Sequence, residues 1–194
     1  MPTALITGAN RGLGAELARQ YQADGWKVIG STRREFDVTD FPGVKRFSQS
    51  LKGEPIDLLF CNAGIAGKRG SGIGSFDYAS WEEVMRVNVL GAAAVAEAFV
   101  ENVAASERKV IAFMSSRLGS IAETSGMTLP YATSKAALNL LAKGLAATLA
   151  PRGIVVVALS PGWVQTDMGG AGAPLDAGTS VRGLRKVLDG LRPE

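Results

Sequence analysis

Near its start the chain runs from a short apolar stretch, Ala4-Leu5-Ile6, directly into Thr7-Gly8-Ala9-Asn10-Arg11-Gly12-Leu13-Gly14, and from there into apolar positions at helical spacing. A strand that turns through three glycines into a helix fixes the first unit as β-turn-α. The same alternation continues to the end. Strands are expected over 4–6, 27–29, 56–61, 110–114 and 154–159, and helices over 14–23, 80–103, 131–150 and 180–191. Ser80 with Glu83 reads as a capping box at the second of these helices. This order predicts a doubly wound α/β fold: a parallel sheet between two helical layers, Rossmann-like in type.

One crossover does not fit the pattern. Only four residues separate Thr32 from Asp37, whereas a βαβ connection needs roughly ten or more. The helix after the second strand is therefore expected to be missing. The third strand is expected to be a stub near 35–38, leaving five firm parallel strands. The stretches 64–75 and 168–179 are rich enough in glycine to be mobile loops. With 194 residues, residues 1–194 are expected to form one domain.

Composition narrows the chemistry. The chain has no histidine and one cysteine, Cys61. Ser-His-Asp hydrolysis, His-ligated zinc and an internal disulfide are thereby excluded, and no metal site is expected. A net charge of +3 gives no reason to expect nucleic acid as a partner. The longest apolar tracts are broken by Asn88 and Glu97, or by Asn139 and Lys143. No membrane span, no targeting segment and a cytoplasmic location are expected.

The glycines of the first turn have separate tasks in an anion site. Gly8 permits the turn, Gly12 lets backbone approach a pyrophosphate, and Gly14 allows close helix–strand packing. The end of the second strand is where an acid would read a ribose 2′-hydroxyl, but the chain offers Thr32, Arg33 and Arg34 there. Arg11 could reach the same group from the glycine turn. A charge-assisted bond to a 2′-phosphate is worth about 1.5–3 kcal/mol, or about one to two decades of preference for NADP(H) over NAD(H).

Asn62-Ala63-Gly64 and Ser115-Ser116 each follow a predicted strand, at the edge where open α/β sheets bind ligands. Tyr131 and Lys135 lie four apart and share one face of a helix. Bringing a tyrosine from its reference pKa near 10 to neutrality takes roughly 4 kcal/mol. An ammonium about 4 Å away at an effective dielectric near 20 supplies about that much. The lysine is thus expected to depress the tyrosine pKa.

Taken in order, these motifs resemble the short-chain dehydrogenase/reductase family, main single-domain subclass. Thr7 to Gly14 matches its TGxxxGxG, Asn62 to Gly64 its NAG, Asn88 its helix asparagine, Ser116 its serine, Tyr131 to Lys135 its YxxxK, and Pro161-Gly162 its PG. The segments around Ser115-Ser116 and 161–168 are most similar to the C-factor-like and carbonyl-reductase-like branch. The resemblance implies that Tyr131 is the general acid/base and that Lys135 holds the nicotinamide ribose. It also implies that Ser116 bonds the substrate oxygen and that Asn88 anchors a proton-refilling water chain. Gly8, Asn10, Arg11, Gly12, Leu13, Gly14, Thr32, Arg33, Arg34, Asn62, Ala63 and Gly64 would contact the cofactor. Asp37 and Val38 would line the adenine pocket, and Pro161, Gly162, Val164 and Thr166 would meet the nicotinamide side. Ser116 stands fifteen residues before Tyr131, two more than is usual in the family, so Ser115 stays open as the alternative.

The expectation is an NADP(H)-dependent oxidoreductase acting on a small-molecule carbonyl or alcohol. Relatives continue past the position of Glu194 to a final strand, so a truncated C-terminus is expected. A homodimer through helices 80–103 and 131–150 is implied by the family. Two alternatives stand beside this reading: a nucleotide-binding regulatory or signalling protein without essential turnover, and a sugar-nucleotide epimerase or dehydratase, which would need a substrate domain the chain has no room for.

Overall fold

The computed structural model describes residues 1–70 and 72–191. Ser71 in the first glycine-rich loop, and Glu194, on which the expectation of a truncated end rests, lie outside the described residues. Five strands form one parallel sheet: β1 (Thr3–Thr7), β2 (Lys27–Ser31), β3 (Leu58–Cys61), β4 (Val110–Met114) and β5 (Val155–Leu159), in the order β2-β1-β3-β4-β5. In β1, β3 and β4 every residue is buried, as in sheets covered on both faces. Alternate residues of each strand serve opposite cores. Leu5, Leu59, Cys61, Ile111 and Phe113 face one side, while Ala4, Ile6, Leu58, Phe60, Ala112 and Met114 face the other.

Among the described residues there are six α-helices, five of which cover the two faces. α1 (Gly12–Ala23) and α6 (Ala177–Gly190) pack together over one side, burying Leu17 and Tyr21 with Val181, Leu184 and Leu188. On the other side lie α2 (Phe41–Ser50), α4 (Ala92–Ala104) and α5 (Leu129–Leu149), which bury Val44, Val95, Phe99, Val103 and Leu138. α3 (Tyr78–Met85) runs into α4 through a π-helical turn, Arg86–Gly91.

The second crossover differs from the sequence reading. Residues 32–40 hold no helix, as expected, but the stub at 35–38 is turn and coil rather than strand. The return to β3 is made by α2, which the sequence reading leaves out. Thr32 and Glu35 explain the geometry. The Thr32 N–H donates to the Glu35 carboxylate at 2.7 Å, and Arg34 N–H donates to the Thr32 hydroxyl at 3.1 Å. The carboxylate reaching back to Thr32 N–H is as in a capping box, with the Thr32 hydroxyl taking the second N–H of the turn instead of the third. This arrangement starts a helical turn in which Glu35 and Phe36 N–H both donate to the Thr32 carbonyl. The turn stops there because Phe36 goes into the core against Phe47 and Phe99.

Two further expectations are corrected. The capping box expected at Ser80 and Glu83 is not the start of the helix. Asp77 caps α3 by accepting from Ser80 N–H, and the Ser80 hydroxyl accepts from Lys68 N–H. The continuous helix Tyr78–Ala104 is long and apolar enough to cross a membrane by length and composition, contrary to the expectation of no such window. Half of its most apolar stretch is buried in this fold.

Candidate active site

The glycine turn, Asn62–Gly64, Ser115-Ser116 and Pro161-Gly162 follow the carboxyl ends of β1, β3, β4 and β5, while Asn88 comes from the π turn and Tyr131 with Lys135 from α5. The glycine turn follows β1, and its geometry is interlocked. Gly8 and Gly12 take positive φ, +67° and +54°. A Cβ on Gly14 would lie 2.2 Å from the Gly8 carbonyl oxygen and 2.5 Å from Asn62 Nδ2, so only glycine lets α1 sit this close to the strand end. Asn62 fastens the turn from the next strand. Its Nδ2 donates to the carbonyls of Thr7 and Gly8, while the N–H groups of Asn62 and Ala63 both donate to the buried Thr7 hydroxyl. The NAG segment is thus a staple for the glycine turn.

α1 opens without a side-chain cap and without an acidic residue in its first turn. Its leading N–H groups and dipole remain directed at the turn, which is the arrangement that holds a phosphate. The donor set and the glycine cradle therefore fit a dinucleotide pyrophosphate. Gly12 faces Thr166, whose Cγ2 lies 3.5 Å from where a Gly12 Cβ would be. The loop after β5 thereby closes over the glycine turn. It is held by Arg11, which pairs with Asp167 at 2.8 Å, and by Arg69, which donates to the Met168 carbonyl. Val164 is buried in this loop and pairs with Leu175. Pro161 accepts from the Ser180 hydroxyl, and Gly162 takes φ +81°. Asn10 is exposed and Leu13 half-buried.

The basic residues after β2 do not converge as the sequence reading expects. Arg11 is paired across the cleft with Asp167, and Arg33 lies 3.7 Å from Asp37. The Thr32 N–H and hydroxyl both donate to Glu35. Hydrogen bonds from Thr32 hold the Glu35 carboxyl below its ordinary pKa, and those from Thr39 do the same for Asp37. Val38 packs against Gly91 of the π turn, where a Cβ would come within 2.9 Å.

Tyr131 and Lys135 share one face of α5, with the ammonium 5.4 Å from the ring centroid. The lysine is buried and donates to the Met114 carbonyl at 2.7 Å. Burial brings its own pKa down to about 8. The Tyr131 pKa is pushed up by burial and pulled back by a hydrogen bond with Ser116. The expectation that Lys135 depresses it is thus not met in this arrangement, because the ammonium is turned to a backbone oxygen.

The two serines are separated by geometry. Ser115 is buried and donates to Asn139 Oδ1, whereas Ser116 faces Tyr131 and accepts from Leu118 N–H at 3.2 Å. Asn88 sits in the π turn, an irregularity frequent at functional sites. Its amide clasps Ile65, accepting from the N–H at 2.8 Å and donating to the carbonyl at 2.9 Å, and also donates to Ser134. A Cβ on Gly64 would lie 3.2 Å from Asn88 Oδ1 and 3.6 Å from Lys135 Nζ, so Gly64 leaves these two groups a common space. Asn139 escapes the sequence reading, although its place four residues after Lys135 and eight after Tyr131 puts it on the same stripe of α5.

Comparison with known proteins agrees with this arrangement. Residues 33–174 match the family described as short chain dehydrogenase. C-signal of Myxococcus xanthus is 40% identical over 78% of this chain and 91% of its own length. The fold is similar to a short-chain dehydrogenase/reductase of Burkholderia multivorans with bound NADP, with TM-score 0.91 and 32% identity over 100% of this chain and 93% of that one. It is also similar to the NADPH-bound carbonyl reductase from chicken fatty liver, with TM-score 0.87 and 27% identity over the same shares.

Proposed function

Because the chain belongs to the short-chain dehydrogenase/reductase family, we propose that it is an NADP(H)-dependent oxidoreductase acting between a carbonyl and the corresponding alcohol. One observation carries the reading: Ser116, Tyr131 and Lys135 meet beside a glycine turn whose helix start is left uncapped. When bound, the nicotinamide supplies or accepts the hydride. All else is the work of the chain, which in this reading binds the cofactor as one domain, residues 1–194.

Tyr131 is the general acid/base. Ser116 accepts from Leu118 N–H, which leaves its proton to donate to the substrate oxygen or to the tyrosine. Lys135 is the source of positive charge near the phenol, and its lowered pKa, about 8, lets it exchange protons near neutrality. Asn88 keeps the π turn and Ile65 in place beside it. Gly8, Asn10, Arg11, Gly12, Leu13 and Gly14 would hold the pyrophosphate, with Asn62, Ala63 and Gly64 beneath them. Thr32, Arg33 and Arg34 would face a 2′-phosphate, Asp37 and Val38 the adenine, and Pro161, Gly162, Val164 and Thr166 the nicotinamide. The NADP- and NADPH-bound neighbours support the cofactor assignment.

The test is oxidation of NADPH, with NADH in parallel, over aldehydes, ketones and quinones. Turnover that Tyr131→Phe abolishes while NADPH still binds supports the proposal; no turnover with any of them defeats it. Replacing Arg33 and Arg34 with Ala is expected to lower the preference for NADPH about tenfold or more. The likeness to C-signal favours a second reading, a nucleotide-binding signalling protein in which Tyr131→Phe leaves the biological effect unchanged.

A further inference from the structure

Ser115 and Ser116 both meet α5, Ser115 through Asn139 and Ser116 through Tyr131, so what holds Ser115 bears on where Ser116 sits. Ser115 turns inward at the end of β4 and donates to Asn139 Oδ1 at 2.5 Å. The other end of the Asn139 amide donates to the Gly119 carbonyl at 3.3 Å. Gly119 itself is pressed onto α5, where a Cβ would lie 2.7 Å from the Lys135 carbonyl carbon and 2.9 Å from Ala136 N. One amide therefore ties both ends of the segment 115–119 to the helix that carries Tyr131 and Lys135. Between those ends lies Ser116, facing Tyr131. Tyr131, Lys135 and Asn139 are spaced by four along α5, so acid, cation and tie form one stripe.

We propose that Asn139, through Ser115 and Gly119, is a positioning residue that holds the Ser116 hydroxyl against the Tyr131 hydroxyl. This rests on the reading of Tyr131 as the general acid/base. An amide is suited to the task because it accepts from a hydroxyl through one atom and donates to a carbonyl through another, which an ionised carboxylate, an acceptor only, does not. With the tie cut, the segment 115–119 keeps its backbone bond from Ser115 N–H to the Leu159 carbonyl, so the strand end stays in place while the Gly119 end, and with it the Leu118 N–H that holds the Ser116 hydroxyl, is no longer tied to α5 through Asn139.

The experiment titrates Tyr131 by ultraviolet difference absorbance in the protein without cofactor. Each variant is referenced to the same background carrying Tyr131→Phe, which removes Tyr21 and Tyr78 from the signal. In Asn139→Ala the Tyr131 titration is expected to move up by about 0.5–1 pH unit, as a hydrogen bond to the phenolate is lost. The dissociation constant for NADPH is expected to stay within twofold. Ser115→Ala, which leaves the Gly119 tie intact, is expected to move the titration in the same direction by less. A Tyr131 titration unmoved in a folded Asn139→Ala overturns the inference, and if that variant does not fold, an unmoved titration in Ser115→Ala does so. Full turnover in Tyr131→Phe defeats the acid/base reading and this inference with it. Turnover lost in Tyr131→Phe beside an unmoved titration defeats the inference alone.

Discussion

At the scale of single residues, glycine shows how context reverses the sign of one substitution. Alanine is favoured over glycine in a helix by about 1 kcal/mol. At Gly144, in the exposed part of α5, a Cβ would meet nothing within 4 Å, and Gly144→Ala is expected to stabilise by about that amount. At Gly14 the same Cβ would meet a backbone oxygen at 2.2 Å. Overpacking against backbone costs about 1–3 kcal/mol, so Gly14→Ala is expected to lower the urea midpoint and to weaken NADPH binding. Equal shifts for the two variants would show that the close approach of α1 does not matter. The three glycines were legible from the sequence because a strand, a turn and a helix each restrict them. The choice between Ser115 and Ser116 was not, since both meet α5 and only the fold shows Ser115 taken up by Asn139 while Ser116 meets Tyr131.

Lys135 gives a pH dependence with a definite sign. Its pKa falls from 10.5 to about 8 on folding, because burial disfavours the ammonium. Between those values the unfolded chain binds more protons than the folded one, so this residue's contribution to stability rises with pH from about 8 to 10.5. The full difference is about 3 kcal/mol. The buried Cys61 thiol, pushed up to about 12, acts in the opposite direction at higher pH, so total stability does not isolate the lysine. The unfolding free energy of the wild type minus that of Lys135→Met does, and it is expected to rise across that window. A flat difference from pH 7.5 to 10 would mean that the lysine is not buried in its charged form.

Among the elements, the segment after β2 shows both what pattern reveals and where it stops. The short spacing from Thr32 to Asp37 excluded a helix there, and none forms. The Thr32–Glu35 capping box was nevertheless present in the sequence as T-x-x-E, and α2 as an Asp40-led stretch with Pro42 in its first turn. Both were hidden by the comparison with a longer crossover. α2 is only ten residues long, and its stability comes from burying Val44 and packing Phe47 beside Phe36 rather than from intrinsic helix propensity. The π turn at Arg86–Gly91 was invisible for a different reason. One extra residue in a helix leaves no compositional mark, yet it brings Asn88 to Ile65 and Ser134.

The capping box also bears on cofactor choice. Glu35 accepts from both the N–H and the hydroxyl of Thr32, and these are donors that a 2′-phosphate would require. An ionised carboxylate there repels a phosphate and satisfies its partners first. Glu35→Gln is therefore expected to raise NADPH affinity severalfold while leaving NADH affinity nearly unchanged, as read by fluorescence titration with each cofactor. A parallel gain for both cofactors would instead indicate that the carboxylate acts only on the folding of the turn.

Over the whole molecule, the parallel sheet places the ends of all five strands on one edge, which explains why segments as far apart as those after β1 and β5 come together. It also leaves the outer sides of the long helices to be accounted for. Their inner sides are used by Val95, Phe99, Val103, Leu138 and Ala142 against the sheet. On the outside, Tyr78, Leu90 and Leu140 are 69%, 52% and 73% exposed. We propose that a pair of helices from a second copy covers them, the two-fold arrangement that the family resemblance implies for 80–103 and 131–150. Substitutions at exposed positions usually change the stability of a single chain by less than about 0.5 kcal/mol, so a double variant, Leu90→Glu with Leu140→Glu, is expected to stay folded, its unfolding midpoint lowered only by what dimerisation adds. In sedimentation equilibrium the wild type is expected at the mass of two chains and the variant at that of one, because four buried carboxylates in a symmetric interface are strongly unfavourable. A wild type already at the mass of one chain, or a variant still at the mass of two, would rule these helix faces out as the dimer contact.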